Sequence, residues 1–226
     1  MRILVLGRGK TGALVADVAR ERQHQVRSLA SKENQDGRAL TLELLQKIDV
    51  AIDFTTPHSV IPNIIRCAEG GVPLVVGTTG WYQHLEKVRQ LVLERKAAFL
   101  YGSNFSVGMN FFFKAVKAIA PVLKSGYRGN IAEKHHVHKK DAPSGTAVTL
   151  QKILEAGSGV KLEIASIREG DTVGMHLITL DSAYDTMLLT HDAKSRLGFA
   201  EGAVRAGEWI SGKTGFWEFP EIVDQL

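Results

Sequence analysis

With 226 residues, 44% hydrophobic and 23% charged, the chain can bury the core of one large domain or two small ones and does not have a disordered composition. Its formal net charge of +4 comes from dispersed lysines and arginines without interleaved aromatics. This disfavours nucleic acid as a partner and suits a small anionic substrate or a phosphate-bearing cofactor. No apolar run approaches the roughly 20 residues of a membrane helix, and the apolar stretch Ile3–Leu6 is shorter than a signal-peptide core of about 7–15 residues. A single cysteine, Cys67, rules out an internal disulfide framework; it reads as a buried small hydrophobe in a reducing cytoplasm.

In chain order, "RILVLG" reads as a buried parallel strand, "GALVADVARER" as a helix, "HQVRSLA" as a second strand, "TLELLQKI" as a short helix and "DVAIDFT" as a third strand. "PHSVIPNIIRCAEGG" is a helix with a glycine stop, "VPLVVGTTG" a fourth strand, "WYQHLEKVRQLVLERK" a helix and "AAFLYGSNFS" a fifth strand. The alternation predicts an α/β fold, a doubly wound parallel sheet over residues 1–106. From residue 107 to 196 the pattern becomes α+β. The helix "NFFFKAVKAIAPVL" precedes an extended "GNIAEKHHVHKK", the helix "SGTAVTLQKILEAG" follows, and then come three period-two strands, "KLEIASIREG", "TVGMHLITLDSA" and "DTMLLTHDA", of a mixed or antiparallel sheet. The tail "GFAEGAVRAGEWISG" is helical.

Between the first strand and first helix, "GRGKTG" sets Gly7, Gly9 and Gly12 at dinucleotide-binding spacing, with Arg8, Lys10 and Thr11 between them. Gly7 allows a tight turn, Gly9 a close approach of pyrophosphate, and Gly12 packing of helix on strand. After the second strand, where NAD binders carry an acidic residue, stand Ser31 and Lys32, a pair that suits a 2′-phosphate and favours NADPH over NADH; the other reading is that Lys32 is a solvated loop charge. Phe54 and Thr55 after the third strand, and Gly77, Thr78 and Thr79 after the fourth, face the same ligand crevice; plain turn chemistry explains "GTTG" equally well.

"EKHHVHKKDAPSGTA" crowds His135, His136, His138, Lys134, Lys139 and Lys140 against a helix start. In an extended segment His136 and His138 share one face and His135, Val137 and Lys139 the other. Three readings stand side by side: a metal site, which the lysines oppose; a solvated charged edge strand; and a site for an anionic substrate with a histidine or lysine as proton donor. Pro143, Ser144, Gly145 and Thr146 make a helix N-terminus suited to a carboxylate, which favours the third reading and a small dicarboxylate.

The segment resembles the signature of the 4-hydroxy-tetrahydrodipicolinate (dihydrodipicolinate) reductase family of lysine and diaminopimelate biosynthesis. Its fixed positions are met by Glu133, His135, His136, Lys139, Asp141, Pro143, Ser144, Gly145 and Thr146. "DFTTP", "VVGTTGW", "SNFSVGMN", "THDAKSRLGFAEGA" and "TGFWEFPEIV" are similar to further family blocks in family order, over essentially the whole chain. The resemblance implies a Rossmann-type domain of residues 1–106 and 197–226, and a substrate-binding and oligomerisation domain of residues 107–196. It implies NAD(P)H-dependent reduction of a cyclic imine with two carboxylates, in a cytoplasmic homotetramer, with no metal, membrane or nucleic-acid partner. His135 and Lys139 would be catalytic. His136, Lys139, Ser144, Gly145 and Thr146 would hold substrate. Gly7 to Gly12, Phe54, Thr55, Gly77 to Thr79 and Gly102, Ser103, Asn104 and Phe105 would line the cofactor site, and hinge closure would accompany hydride transfer. The chain departs from many members in its shorter length, in Lys10 and Thr11 of the glycine loop, and in lacking an obvious acidic ribose ligand. A dinucleotide sensor would have no need of the histidine-lysine segment, and an amino-acid dehydrogenase would not need two carboxylate pockets.

Overall fold

The computed structural model describes residues 1–226 in two compact units, Met1–Val107 with Leu197–Leu226, and Gly108–Arg196. The first unit is built on strands β1 (Arg2–Leu6), β2 (Gln25–Leu29), β3 (Val50–Asp53), β4 (Leu74–Val76), β5 (Ala98–Tyr101) and β10 (Gly215–Glu218). All pair in parallel in the order β10-β5-β4-β3-β1-β2. The expected doubly wound sheet is therefore present, with one addition. The sixth strand, β10, comes from the C-terminal tail, where no strand is predicted: "GFWE" is four residues long and follows a glycine-rich turn, too little for a periodic signal.

Helices α1 (Lys10–Glu21), α2 (Leu42–Leu45), α3 (Pro57–Glu69), α4 (Leu85–Glu94), α7 (Leu197–Ile210) and α8 (Phe219–Ile222) cover the sheet. Every residue of β3, β4 and β5 is buried, as strands packed on both faces must be. One core joins the sheet to α1, α7 and α8, and the other joins it to α2, α3 and α4. Helix starts follow local chemistry: Thr56 caps α3 by accepting from Ser59 N, with Pro57 at the first helical position.

The second unit holds α5 (Val107–Ile119), β6 (Arg128–His135), α6 (Gly145–Ser158), β7 (Glu163–Arg168), β8 (Gly174–Asp181) and β9 (Thr186–Ala193). The strand order is β7-β6-β8-β9, a mixed sheet in which β6 and β7 are parallel and the remaining pairs antiparallel. The alternation along β6 and β8 buries Ile131, Glu133, His135, His176, Ile178 and Leu180 on one face and leaves Ala132, Lys134, Met175 and Leu177 half-buried on the other. Met109, Val116, Leu150 and Leu154 of α5 and α6 pack on the buried face. One expectation fails: the extended segment does not run to Lys140. Strand β6 stops at His135 and Val137–His138 form a turn, so the face-sharing expected for His136, Val137, His138 and Lys139 does not apply.

Helix α7 lies close on its neighbours because it is rich in small residues. A Cβ on Gly202 would fall 1.8 Å from the Phe105 carbonyl oxygen, which is backbone and cannot step aside. Gly202→Ala is expected to cost about 2–3 kcal/mol by overpacking, read as a lower urea midpoint with unchanged slope.

Candidate active site

In the first unit, the loops at the carboxyl ends of β1, β3, β4 and β5 converge. Gly7 adopts φ +99°, and a Cβ there would lie 2.2 Å from the Phe54 carbonyl oxygen. A Cβ on Gly12 would lie 2.1 Å from the Gly7 carbonyl oxygen. These two glycines are required by backbone approach. Gly9 faces open space, and as N-cap of α1 it supplies no side chain to the helix start. The amides of Lys10, Thr11 and Gly12 precede the first intrahelical bond, from Ala13 N to Gly9 O. An uncapped helix start beside an open glycine fits a pyrophosphate.

Arg8 is tied to the end of β2, donating to Ser28 O at 2.7 Å and Glu33 Oε1 at 3.0 Å. Glu33 also accepts from Ala30 N. That backbone bond, then the charges of Arg8 and Arg27, hold its carboxyl below the usual range. Ser31 and Lys32 lie exposed in the turn between. The Phe54 ring sits where a Gly77 side chain would be, 2.2 Å from its Cβ position, and meets Phe105 edge-on at 6.0 Å. Gly102 packs against Phe105 and Phe219; Ser103 is exposed, and Asn104 Oδ1 accepts from Ser106 N. Thr79 is exposed, whereas Thr78 is buried. Its Oγ1 donates to Asp53 Oδ1 and accepts from Thr55 N. Asp53 is fully buried and also accepts from Thr55 Oγ1 and Asn63 Nδ2, so it pins the loops after β3 and β4.

In the second unit the chemistry gathers around Glu133, whose side chain is completely buried. Oε1 accepts from Arg168 at 2.9 Å and from Ser144 N at 3.4 Å, while Oε2 pairs with His135 Nδ1. Burial opposes ionisation, but bonds from Ser166 and Arg168 and the charges of His135 and Arg168 win, and the carboxyl lies below its ordinary range. His135 Nε2 makes no hydrogen bond within the protein. Burial lowers the pKa of this ring; Glu133 opposes the shift and Lys139 adds to it.

Lys139 Nζ holds Asp141 at 2.8 and 2.9 Å. Arg168 also donates to Asp141 O at 2.6 Å, which ties the loop to the sheet. Ser144 caps α6 by accepting from Ala147 N, and Gly145 and Thr146 supply the next two amides, which have no intrahelical acceptor. His136 lies outside the strand, its ring 6.3 Å from that of His138. His176 of β8 stands beside His135, ring centroids 5.3 Å apart, with its Nε2 at 3.3 Å from Ser144 Oγ. Glu133, His135 and His176 place possible metal-ligand atoms within 4.8 Å of one another. Glu133 Oε1 is held by the Arg168 guanidinium, however, and that charge beside the set opposes a cation.

Residues 1–105 match the family described as dihydrodipicolinate reductase, N-terminus, and residues 108–223 the one described as dihydrodipicolinate reductase, C-terminus. The chain belongs to the dihydrodipicolinate reductase family. It is 37% identical to the 4-hydroxy-tetrahydrodipicolinate reductase of Christiangramia forsetii over 240 aligned positions, covering 100% of this chain and 99% of that protein. It is 34% identical to the enzyme of the same name from Neisseria meningitidis, over 80% of this chain and 74% of that protein. In fold it is similar to the dipicolinate-bound dihydrodipicolinate reductase from Paenisporosarcina sp. TG-14 (TM-score 0.81, 23% identity, 98% and 99% coverage). It is similar more distantly to a probable dehydrogenase from Thermotoga maritima (TM-score 0.60, 10% identity, 99% and 93% coverage).

Asp53, Arg168, Gly174 and His176 are absent from the residues singled out by sequence, and Glu133 is there only as a signature position. A signal existed for His176: it occupies an inward position of "GMHLITLD", in phase with buried Ile178 and Leu180. Burial first, then the charge of His135, lowers its pKa to about 4. Its unfolded counterpart, near 6.5, takes up a proton first as pH falls. Its contribution to stability is therefore complete above about pH 6.5 and is lost towards pH 4, on the order of 3 kcal/mol for the site. His135 and His191, both lowered, act in the same direction. Urea denaturation between pH 7 and 4 is expected to show this loss, with a shallower slope in His176→Phe.

Proposed function

We propose that this chain reduces 4-hydroxy-tetrahydrodipicolinate, or the ring formed by its dehydration, to tetrahydrodipicolinate in lysine and diaminopimelate biosynthesis, with His135 as proton donor. The observation that carries the reading is the His135 ring, with Nδ1 held by a buried carboxylate and Nε2 without an internal partner. Glu133 fixes the tautomer and stabilises the imidazolium. Lys139 exchanges Asp141 for a substrate carboxylate, a short move for a flexible ammonium. The amides of Gly145 and Thr146 and the Ser144 hydroxyl receive a carboxylate at the start of α6. His136 contributes a further polar contact to the substrate. These groups orient the ring and hold it beside the imidazole.

A reduced nicotinamide, when bound, supplies the hydride. The residues that would hold it are the Gly7 to Gly12 loop, Phe54 and Thr55, Gly77 to Thr79 and Gly102 to Phe105, so the first unit is the dinucleotide-binding domain and the second the substrate-binding domain. Arg8 and Arg27 act on a single carboxylate, Glu33, at the end of β2, and Lys32 is exposed in the turn before it, which supports NADPH over NADH. Glu33 is occupied by Arg8 and Ala30 N and is poorly placed to take a ribose diol. The sheet face away from α5 and α6 carries Ala132, Leu177, exposed Ile167 and exposed Leu188, which supports assembly through this face into a homotetramer. The free thiol of Cys67 suits a reducing cytoplasm.

Oxidation of NADPH and NADH is followed with substrate formed in situ from pyruvate and aspartate semialdehyde. Synthase-dependent oxidation, inhibited competitively by pyridine-2,6-dicarboxylate, is expected; folded protein that binds both cofactors and oxidises neither would sink the assignment. His135→Gln should lose at least about 100-fold in kcat while cofactor affinity stays at the wild-type level, and wild-type turnover would remove the proton-donor role. Because burial depresses the ring, kcat/KM should decline as pH rises through a midpoint below the ordinary 6.5. Lys32→Ala is expected to lower kcat/KM for NADPH about tenfold with little change for NADH; an equal effect on both cofactors would assign Lys32 to solvent.

A further inference from the structure

The buried face of the second sheet is written in rows. Ile164, Ile131, Ile178 and Leu189 lie opposite one another across β7, β6, β8 and β9. The next row is entirely polar: Ser166, Glu133, His176 and His191. One step further, Arg168 faces His135, and Gly174 faces Ala193. A Cβ on Gly174 would stand 2.9 Å from His135 Nε2 and 3.2 Å from its Cδ2, so the His135 ring fills the place of that side chain. Gly174 has no left-handed φ to require a glycine; only the ring does.

We infer that His176 is a positioning residue for His135, and that Gly174, by lacking a side chain, leaves the ring its place. The inference rests on the proton-donor reading of His135. An imidazole held only at Nδ1 can pivot about that contact. Here a second imidazole stands edge-on at 5.3 Å, and the missing side chain of Gly174 leaves the ring the place it occupies, so two neighbours on β8 restrict where Nε2 can point. His176 suits the task because it adds no charge: burial keeps it neutral among His135, Glu133, His191 and Lys139. Its Nε2 also reaches Ser144 Oγ, the cap of the helix start that receives a carboxylate. His176 therefore links the ring to the anion pocket.

Two substitutions separate the two contacts. His176→Phe keeps a ring wall and loses the bond to Ser144; it should keep kcat within about threefold and raise the substrate KM about tenfold. His176→Gln keeps a polar reach to Ser144 and loses the wall; it should keep KM and lower kcat about 30-fold. In His176→Gln water replaces the wall, so the kcat/KM midpoint should move up towards 6.5. The groups facing His135 that set this midpoint are Glu133, Lys139 and Arg168, all retained. Gly174→Ala should lower kcat with cofactor affinity unchanged. Nitrogen-15 relaxation of the His135 ring, taken without substrate, should show one ring orientation in wild type and His176→Phe and exchange broadening in His176→Gln. Wild-type kcat, midpoint and ring relaxation in His176→Gln would overturn the inference. So would kcat falling only with the folded fraction while the ring spectrum stays fixed. Full turnover in His135→Gln would instead remove the proton-donor reading, and the ring spectra would still report on positioning.

Discussion

The second unit is organised around one buried carboxylate. Burying an anion without partners costs far more than a small domain can supply. Glu133 is tolerable only because Arg168 and Ser166 of β7, the Ser144 amide at the start of α6 and the ring of His135 all converge on it. Each contact has a consequence beyond charge balance. The bond to Arg168 joins two strands whose connection is a whole helix, and through Asp141 O it draws in the loop that carries Lys139. The bond from Ser144 places the helix start. The pairing with His135 Nδ1 leaves Nε2 as the nitrogen that can exchange a proton.

Asp53 does the corresponding work in the first unit by a different route. No cation stands against it; its oxygens accept from Thr55, Thr78 and Asn63. Burial pushes its pKa up and these hydrogen bonds oppose the rise. Using neutral donors means that the loops after β3 and β4 are locked with no cation fixed against Asp53. A guanidinium on Asp53 would fix the same loops and would pair with the ligand's charge less selectively.

The parallel sheet was legible because its strands are short apolar runs punctuated by glycine, and the helix starts because Pro57, Ser144 and the glycine loop have their own chemistry. Strand β10 was not, since a four-residue strand gets its identity from its partner β5 and not from its own pattern. The histidine-lysine segment was legible as chemistry but not as geometry. Counting it as extended through Lys140 put His135 and Lys139 on one face, whereas the strand stops at His135 and a turn carries the lysine back. Arg168 and His176 lie 35 and 41 residues from Glu133 and His135 and reach them only through strand register, a relation no local spacing encodes.

The depressed pKa of His135 looks at first like the wrong setting for the proton-donor role proposed for it. A ring that is neutral in the free protein has no proton to give at Nε2. Its environment is unfinished, however. Arg168 is matched by Glu133 and Lys139 by Asp141, so these side chains alone give little net field with which to hold an imidazolium. A dianion at Lys139 and the α6 amides would change that: two negative charges near a half-desolvated ring favour its protonated form. Proton uptake would then accompany substrate binding, and the proton would be loaded where and when a ring is present to receive it. Glu133 makes this possible without forcing it. It is close enough to stabilise the cation once formed, and burial keeps that stabilisation from charging the ring in advance.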